Sequence, residues 1–242
     1  MNHDLLLITT PRSGSDFFSQ WLLKLYTFGW IGEWLAAGSL LQVRDQLGLP
    51  NPWKLTEFTA ALRAQKASSD GRISIKIMWD TFAWTKWKGA REGCPEGIYS
   101  TLRNPAMVFL SRKDKLAQAI SLYKARRTGI WHTDGSERIP DVEYDHGSIL
   151  ASLLEVVAGE QAWLEWLQTR DFHYQTVYYE EMIVDPRATL RSILSSCGME
   201  QAEEIAQLPD PPNKRLARGN NRELYERFRE DRPDLVSTMQ PN

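Results

Sequence analysis

At 242 residues, with 42% apolar and 25% charged side chains, the chain has the makeup of a packed α/β protein, and disordered, collagen-like and coiled-coil readings fail on these figures. Lys and Arg number 29 against 31 Asp and Glu; the net charge of −2, with no nucleic-acid-reading motif, argues against a nucleic-acid partner. The longest apolar runs, such as Leu5–Ile8, fall far short of the roughly 18–20 residues that a membrane span needs, and Met1-Asn2-His3-Asp4 carries no basic leader. The two cysteines, Cys94 and Cys197, stand in no metal spacing, so a cytoplasmic protein without a bound metal is expected.

In chain order, Asp4–Thr9 is a short apolar run closed by Thr10-Pro11 and predicts a buried strand. Arg12-Ser13-Gly14-Ser15 forms a polar loop, and Asp16–Thr27 predicts a helix with Phe17, Trp21, Leu22 and Leu25 on one face. Strand, loop and helix in that order open a βαβ unit, which binds ligands at the carboxyl edge of its sheet. Phe28–Gln42 is rich in Gly and Trp without a period, and Leu41–Leu47 and Thr56–Lys66 predict helices on either side of Pro50-Asn51-Pro52. Ile73–Met78 alternates like a strand, with Ser74 and Lys76 on one face. Ala106–Leu110 is a continuous apolar strand running into the basic, helically spaced stretch Ser111–Arg127. Arg127–Asp145, with Gly, Pro and Asp, reads as a mobile loop, and Ser148–Thr169 as a long helix. Gln175–Tyr179 is a further strand, Pro186 opens a helix to Ser196, and the Pro209–Pro212 break precedes a last helix near Asn221–Arg229. Strands alternating with helices predict an α/β fold with a parallel sheet and right-handed crossovers, undivided by any linker.

The first loop stands just ahead of a helix, where free N–H groups and the positive end of the dipole meet an anion. Gly14 lets the backbone approach closely, and Arg12 adds a planar fork suited to an oxyanion. The nucleotide-hydrolase motif G-x-x-x-x-G-K-S/T is absent, which argues against a magnesium-dependent ATP or GTP machine. Basic residues gather at Arg112–Arg127 and Lys214–Arg232, the first island opening at a strand's carboxyl end. Arg112 and Ser121 there share a rim with the Arg12 loop, an arrangement that suits a ligand carrying two separated anionic groups.

Thr10-Pro-Arg-Ser-Gly-Ser15, the run from Arg112 through Ser121, and Thr128-Gly-Ile-Trp131 together resemble the bacterial trehalose 2-sulfotransferase-like family, as do Lys76-Ile-Met-Trp79 and Val177-Tyr-Tyr-Glu180. The resemblance runs from about Leu5 to Arg229. It implies a three-layer P-loop-type fold, a single domain over 1–242, and a homodimer. It also implies sulfuryl transfer from 3′-phosphoadenosine 5′-phosphosulfate (PAPS). By the same resemblance Arg12, Ser13, Gly14 and Ser15 hold the 5′-phosphosulfate and Arg112 and Ser121 the 3′-phosphate. Arg215 falls in a late basic loop over the nucleotide, and Glu33 is the base that deprotonates the acceptor. Two positions depart from the family: Asp16 stands where it has Thr, and Ile31 where a Pro often precedes the glutamate.

In-line sulfuryl transfer needs a base for the acceptor hydroxyl and cations for the leaving phosphate, and no metal is required. Glu33 and Arg12 take these roles, with Lys76 as a second catalytic cation, while His132 and His146 are alternative bases. Ten tryptophans, among them Trp30, Trp34, Trp79, Trp84 and Trp87 near the expected crevice, point to a carbohydrate or glycolipid acceptor. A nucleotide kinase and a non-catalytic nucleotide-binding module are the competing readings.

Overall fold

A computed structural model describes residues 3–36, 40–51, 53–81, 95–131, 139–169, 172–197, 199, 202–208 and 219–238. Strands β1 (Leu5–Thr9), β2 (Ser74–Met78), β3 (Ala106–Ser111) and β4 (Tyr174–Tyr178) form one parallel sheet in the order β2-β1-β3-β4. The helices are α1 (Ser15–Leu25), α2 (Leu40–Leu47), α3 (Leu55–Lys66), α4 (Pro95–Thr101), α5 (Lys115–Thr128) and α6 (His146–Gln168), followed by α7 (Tyr179–Val184), α8 (Pro186–Ser196), α9 (Ala202–Gln207), α10 (Asn221–Asp231) and α11 (Pro233–Thr238). The parallel α/β sheet expected from the alternating pattern is observed, with the flanking helix layers that the family resemblance implies.

β1 and β3 are unbroken apolar runs because helices cover both faces of the sheet. Leu5 and Leu7 of β1, with Val108 and Leu110 of β3, pack against Phe18 and Trp21 of α1 and Ile193 of α8. Leu6, Ile8 and Phe109 face the other way, onto Phe58 of α3 and Trp163 of α6. Register sets Leu5 beside Ser74 and Leu7 beside Lys76, and paired residues of parallel strands share a face. Lys76 is therefore directed to the α1 side of the sheet. A third cluster joins α5, the first half of α6 and α10 through Ile120, Leu153 and Phe228.

At the amino edge Asp4 is a hub. It is 1% exposed, and its carboxylate accepts from both terminal nitrogens of Arg63 (2.9 and 2.7 Å) and from the backbone N–H groups of Ile73 (3.0 Å) and Arg103 (2.7 Å). One side chain thereby binds the starts of three strands to α3.

α1 ends two residues earlier than its periodicity predicts, because Tyr26 takes a left-handed conformation (φ 53°) and turns the chain. The helices α4, α7, α9 and α11, of six or seven residues each, give no periodic signal, since fewer than two turns cannot repeat a pattern. Among the described residues no helix is long and apolar enough to cross a membrane.

Candidate active site

A cavity of about 960 Å³ opens at the carboxyl edge of the sheet. Its floor is the β1–α1 loop. Gly14 adopts φ 91°, and a Cβ there would lie 2.2 Å from the Tyr179 ring, so this close approach admits only glycine. With Gly14 as N-cap, α1 starts without a side-chain cap, and its first turn, Gly14–Phe17, lines the cavity. An uncapped helix start offers N–H groups to an anion. Ser13 differs from its neighbours: it is fully buried, and its hydroxyl lies 2.5 Å from that of Thr9, which donates to the Leu110 carbonyl. Its side chain braces the loop from below. Gln118 fixes the loop from the α5 side, donating to the Thr10 hydroxyl and the Pro11 carbonyl.

Arg12, at φ 62°, donates through Nε to Ser121 Oγ (2.9 Å) and through Nη1 to the Trp131 carbonyl (2.5 Å). Sequence spacing pairs Ser121 with Arg112; the fold brings Ser121 into direct contact with Arg12, and all three line the same cavity. Burial holds the Arg12 guanidinium below its ordinary pKa, opposed by Asp16 and assisted by Arg112. Arg112 itself stacks 4.9 Å over the Tyr179 ring, with Nε 3.7 Å from Glu180. Its Nε is buried without a hydrogen-bond partner among the described residues. Glu180 instead accepts from the backbone N–H groups of Lys113 (2.9 Å) and Asp114 (3.1 Å), shaping the start of α5.

Lys76 is 6% exposed and sits between two carboxylates, Asp16 at 2.9 Å and Glu33 at 2.8 Å. Burial alone would lower its pKa; the two acids outweigh that and raise it. Its backbone N–H donates to the Gly32 carbonyl (3.0 Å), which lays the Glu33 segment along the edge of β2. Asp16 and Glu33 both line the cavity, as does Asp80, whose pKa is raised by burial and by the nearby charges of Glu33 and Glu155.

Among the described residues, several cations of the basic islands are paired. Lys113 pairs with Glu181, Lys115 with Glu160 and Arg126 with Glu155, acids that the linear sequence keeps far away. In the second island Arg227 stacks on Tyr144 and Arg232 pairs with Asp234, while Arg222 lines the cavity. Arg215 lies outside the described residues, as do His132, Trp84 and Trp87. His146 stacks on Phe228 (5.3 Å) within the third cluster's surroundings. Trp34 is core and Trp79 packs edge-on to Trp163, whereas the aromatic residues lining the cavity are Phe17, Trp131, Tyr179 and Tyr225. Tyr179 was discoverable from its place just after a strand's carboxyl end; Asn221, Arg222 and Tyr225 reach the cavity only because α10 folds back, which no local pattern announces. Among the described residues no three His, Cys, Asp or Glu side chains are grouped to hold a metal.

The family model described as Stf0 sulphotransferase matches residues 5–231, from the first strand to the end of α10. The chain belongs to that family. It is 24% identical over 217 residues to the trehalose 2-sulfotransferase of Mycobacterium tuberculosis, covering 84% of this chain and 79% of that one. The trehalose 2-sulfotransferase of Mycolicibacterium smegmatis is likewise 24% identical over 212 residues, covering 82% and 78%. The crystal structure of a Mycobacterium avium sulfotransferase superposes with a TM-score of 0.53 at 13% identity, over 98% of this chain and 76% of that one, and shows the shared fold. The protein is a sulfotransferase, and the kinase reading is not favoured.

Proposed function

We propose that the cavity binds PAPS and that the enzyme transfers its sulfuryl group to a hydroxyl of a carbohydrate or glycolipid. The observation carrying this reading is that Arg112, whose Nε makes no hydrogen bond among the described residues and lies 3.7 Å from Glu180, lines one cavity with Arg12 and the uncapped start of α1. These donors suit a ligand with two anionic ends, and the volume lies in the range of small-molecule sites. Arg12, Gly14, Ser15 and the backbone of Ser13 would hold the 5′ end, Arg112 and Ser121 the 3′-phosphate, and Arg215 would close over the nucleotide. The donor supplies a sulfuryl group already joined to a good leaving phosphate. Glu33 accepts the proton of the acceptor hydroxyl as its oxygen bonds to sulfur, and Arg12 with the loop N–H groups stabilises charge on the departing phosphate. No metal enters this scheme.

The carbohydrate class is supported by the relatives' names and by the cavity itself. Trp131 and Tyr179 offer aromatic faces to sugar C–H groups, and Glu33 and Asp80 offer acceptors to hydroxyls. A cytoplasmic setting and a homodimer complete the reading, the first from cysteine usage and the second from the family resemblance.

Transfer of labelled sulfate from PAPS to a glycan panel tests it, alongside calorimetry of adenosine 3′,5′-bisphosphate against ATP–Mg²⁺. Labelled glycan and preferential binding of the bisphosphate are expected; tighter binding of ATP–Mg²⁺ with no labelled product overturns the reading. Glu33→Gln is expected to lower kcat by about 10²–10⁴ with bisphosphate affinity kept. Wild-type turnover in that variant removes Glu33 as the base.

A further inference from the structure

A single buried ammonium joins the two halves of the site. Asp16 belongs to the first turn of α1, the part of the cavity assigned to the donor, and Glu33 belongs to the segment assigned to the acceptor. Both reach Lys76, at 2.9 and 2.8 Å, and without it two carboxylates would face each other in a partly buried space. The backbone keeps Lys76 between the two acids. Its strand register aims it at α1, and its backbone N–H holds the Gly32 carbonyl. Charged groups around this bridge include Arg12 beside Asp16, and Asp80, itself near Glu155, beside Glu33.

We propose that Lys76 is a positioning residue that couples donor binding to the base, because Asp16 and Glu33 compete for its ammonium. An anion arriving at Gly14–Phe17 adds negative potential on the Asp16 side and draws the ammonium toward the loop. The hold on Glu33 weakens, and its oxygen becomes available to the acceptor proton. With the loop empty, Glu33 stays engaged by Lys76. Asp16, where the family resemblance expects Thr, is thus the element that makes the coupling possible. This inference rests on the assignment of Glu33 as base and of the loop as donor site.

The test compares Asp16→Asn, Lys76→Met and Lys76→Arg in full-length enzyme, reading bisphosphate affinity, the pH profile of kcat and thermal stability. In Asp16→Asn the ammonium belongs to Glu33 alone and a like charge is lost. The acidic limb of kcat is expected to move down by about half to one pH unit. Bisphosphate binding is expected to tighten about three- to tenfold, since an acid beside the anion is gone. Lys76→Met should move the limb up by about one unit and lower kcat, and Lys76→Arg should restore most of both. If Lys76→Met does not fold, Asp16→Asn carries the test alone. An unmoved limb in Asp16→Asn, with Glu33→Gln inactive, overturns the coupling and leaves the proposed function standing. Wild-type turnover in Glu33→Gln overturns the base assignment and the coupling with it.

Discussion

The two edges of the sheet treat buried charge in opposite ways. At the amino edge Asp4 meets four N–H donors, and its partner Arg63 spends one nitrogen further on the Gly71 carbonyl. Both carboxylate oxygens of Asp4 are thus answered by donors from the chain itself. At the carboxyl edge one ammonium serves two carboxylates, and the buried Nε of Arg112 makes no hydrogen bond among the described residues. Buried polar groups are normally satisfied, and among the described residues exceptions occur at both edges, Arg72 Nε and Ser74 Oγ near Asp4 among them; what marks the carboxyl edge as a working site is that its charged groups, Arg12, Asp16, Glu33 and Arg112, line the cavity. This distinction comes from geometry alone and agrees with the family match.

The sharpest way to break the comparison is Asp4→Ala. It strands Arg63 and two backbone N–H groups, and is expected to cost about 3–5 kcal/mol in denaturant unfolding. Bisphosphate affinity of the folded fraction should not change; a selective loss of binding would mean that the amino edge also serves the ligand. Arg112→Ala is the counterpart at the other edge. It removes a loose ion pair with Glu180 and a stack on Tyr179, so stability should fall by less than in Asp4→Ala, while bisphosphate binding should weaken by about 1.5–3 kcal/mol in calorimetry, the worth of a charge-assisted hydrogen bond. Unaltered affinity takes Arg112 out of the site.

Much of this contrast is legible in the sequence, but unevenly. β1, β3 and the loop between β1 and α1 are readable because apolar runs and the Ser-Gly turn are local signals. The alternation in β2 correctly puts Ser74 and Lys76 on one face, and the register then decides that this is the face of α1. What alternation cannot contain is the identity of Lys76's partners, one from α1 and one from the irregular stretch before α2. The Asp4 hub was missed for a related reason: its partners Arg63, Ile73 and Arg103 lie far along the chain, and a single acid ahead of an apolar run has no pattern. Likewise Ser13 and Ser15 look equivalent in the loop, yet only packing shows that the Ser13 hydroxyl turns inward to Thr9.

The smallest expected effect tests the comparison most closely, because it concerns a residue of the same basic island as Arg112. Arg126 pairs with Glu155 at 2.7 Å, and both side chains are well exposed, at 43% and 38%. Pairs of that kind contribute about 0–1 kcal/mol, since solvent screens them and two long side chains must be ordered to form them. Arg126→Ala should therefore shift unfolding by less than about 1 kcal/mol and bisphosphate affinity by less than about twofold. Added salt should diminish even that, because a solvent-exposed ion pair is weakened by ionic screening. If Arg126→Ala instead weakens binding as much as Arg112→Ala, the island acts as one diffuse field. Charges that line the cavity and charges that do not would then be equivalent to the ligand, and the difference between the two edges would lose its meaning.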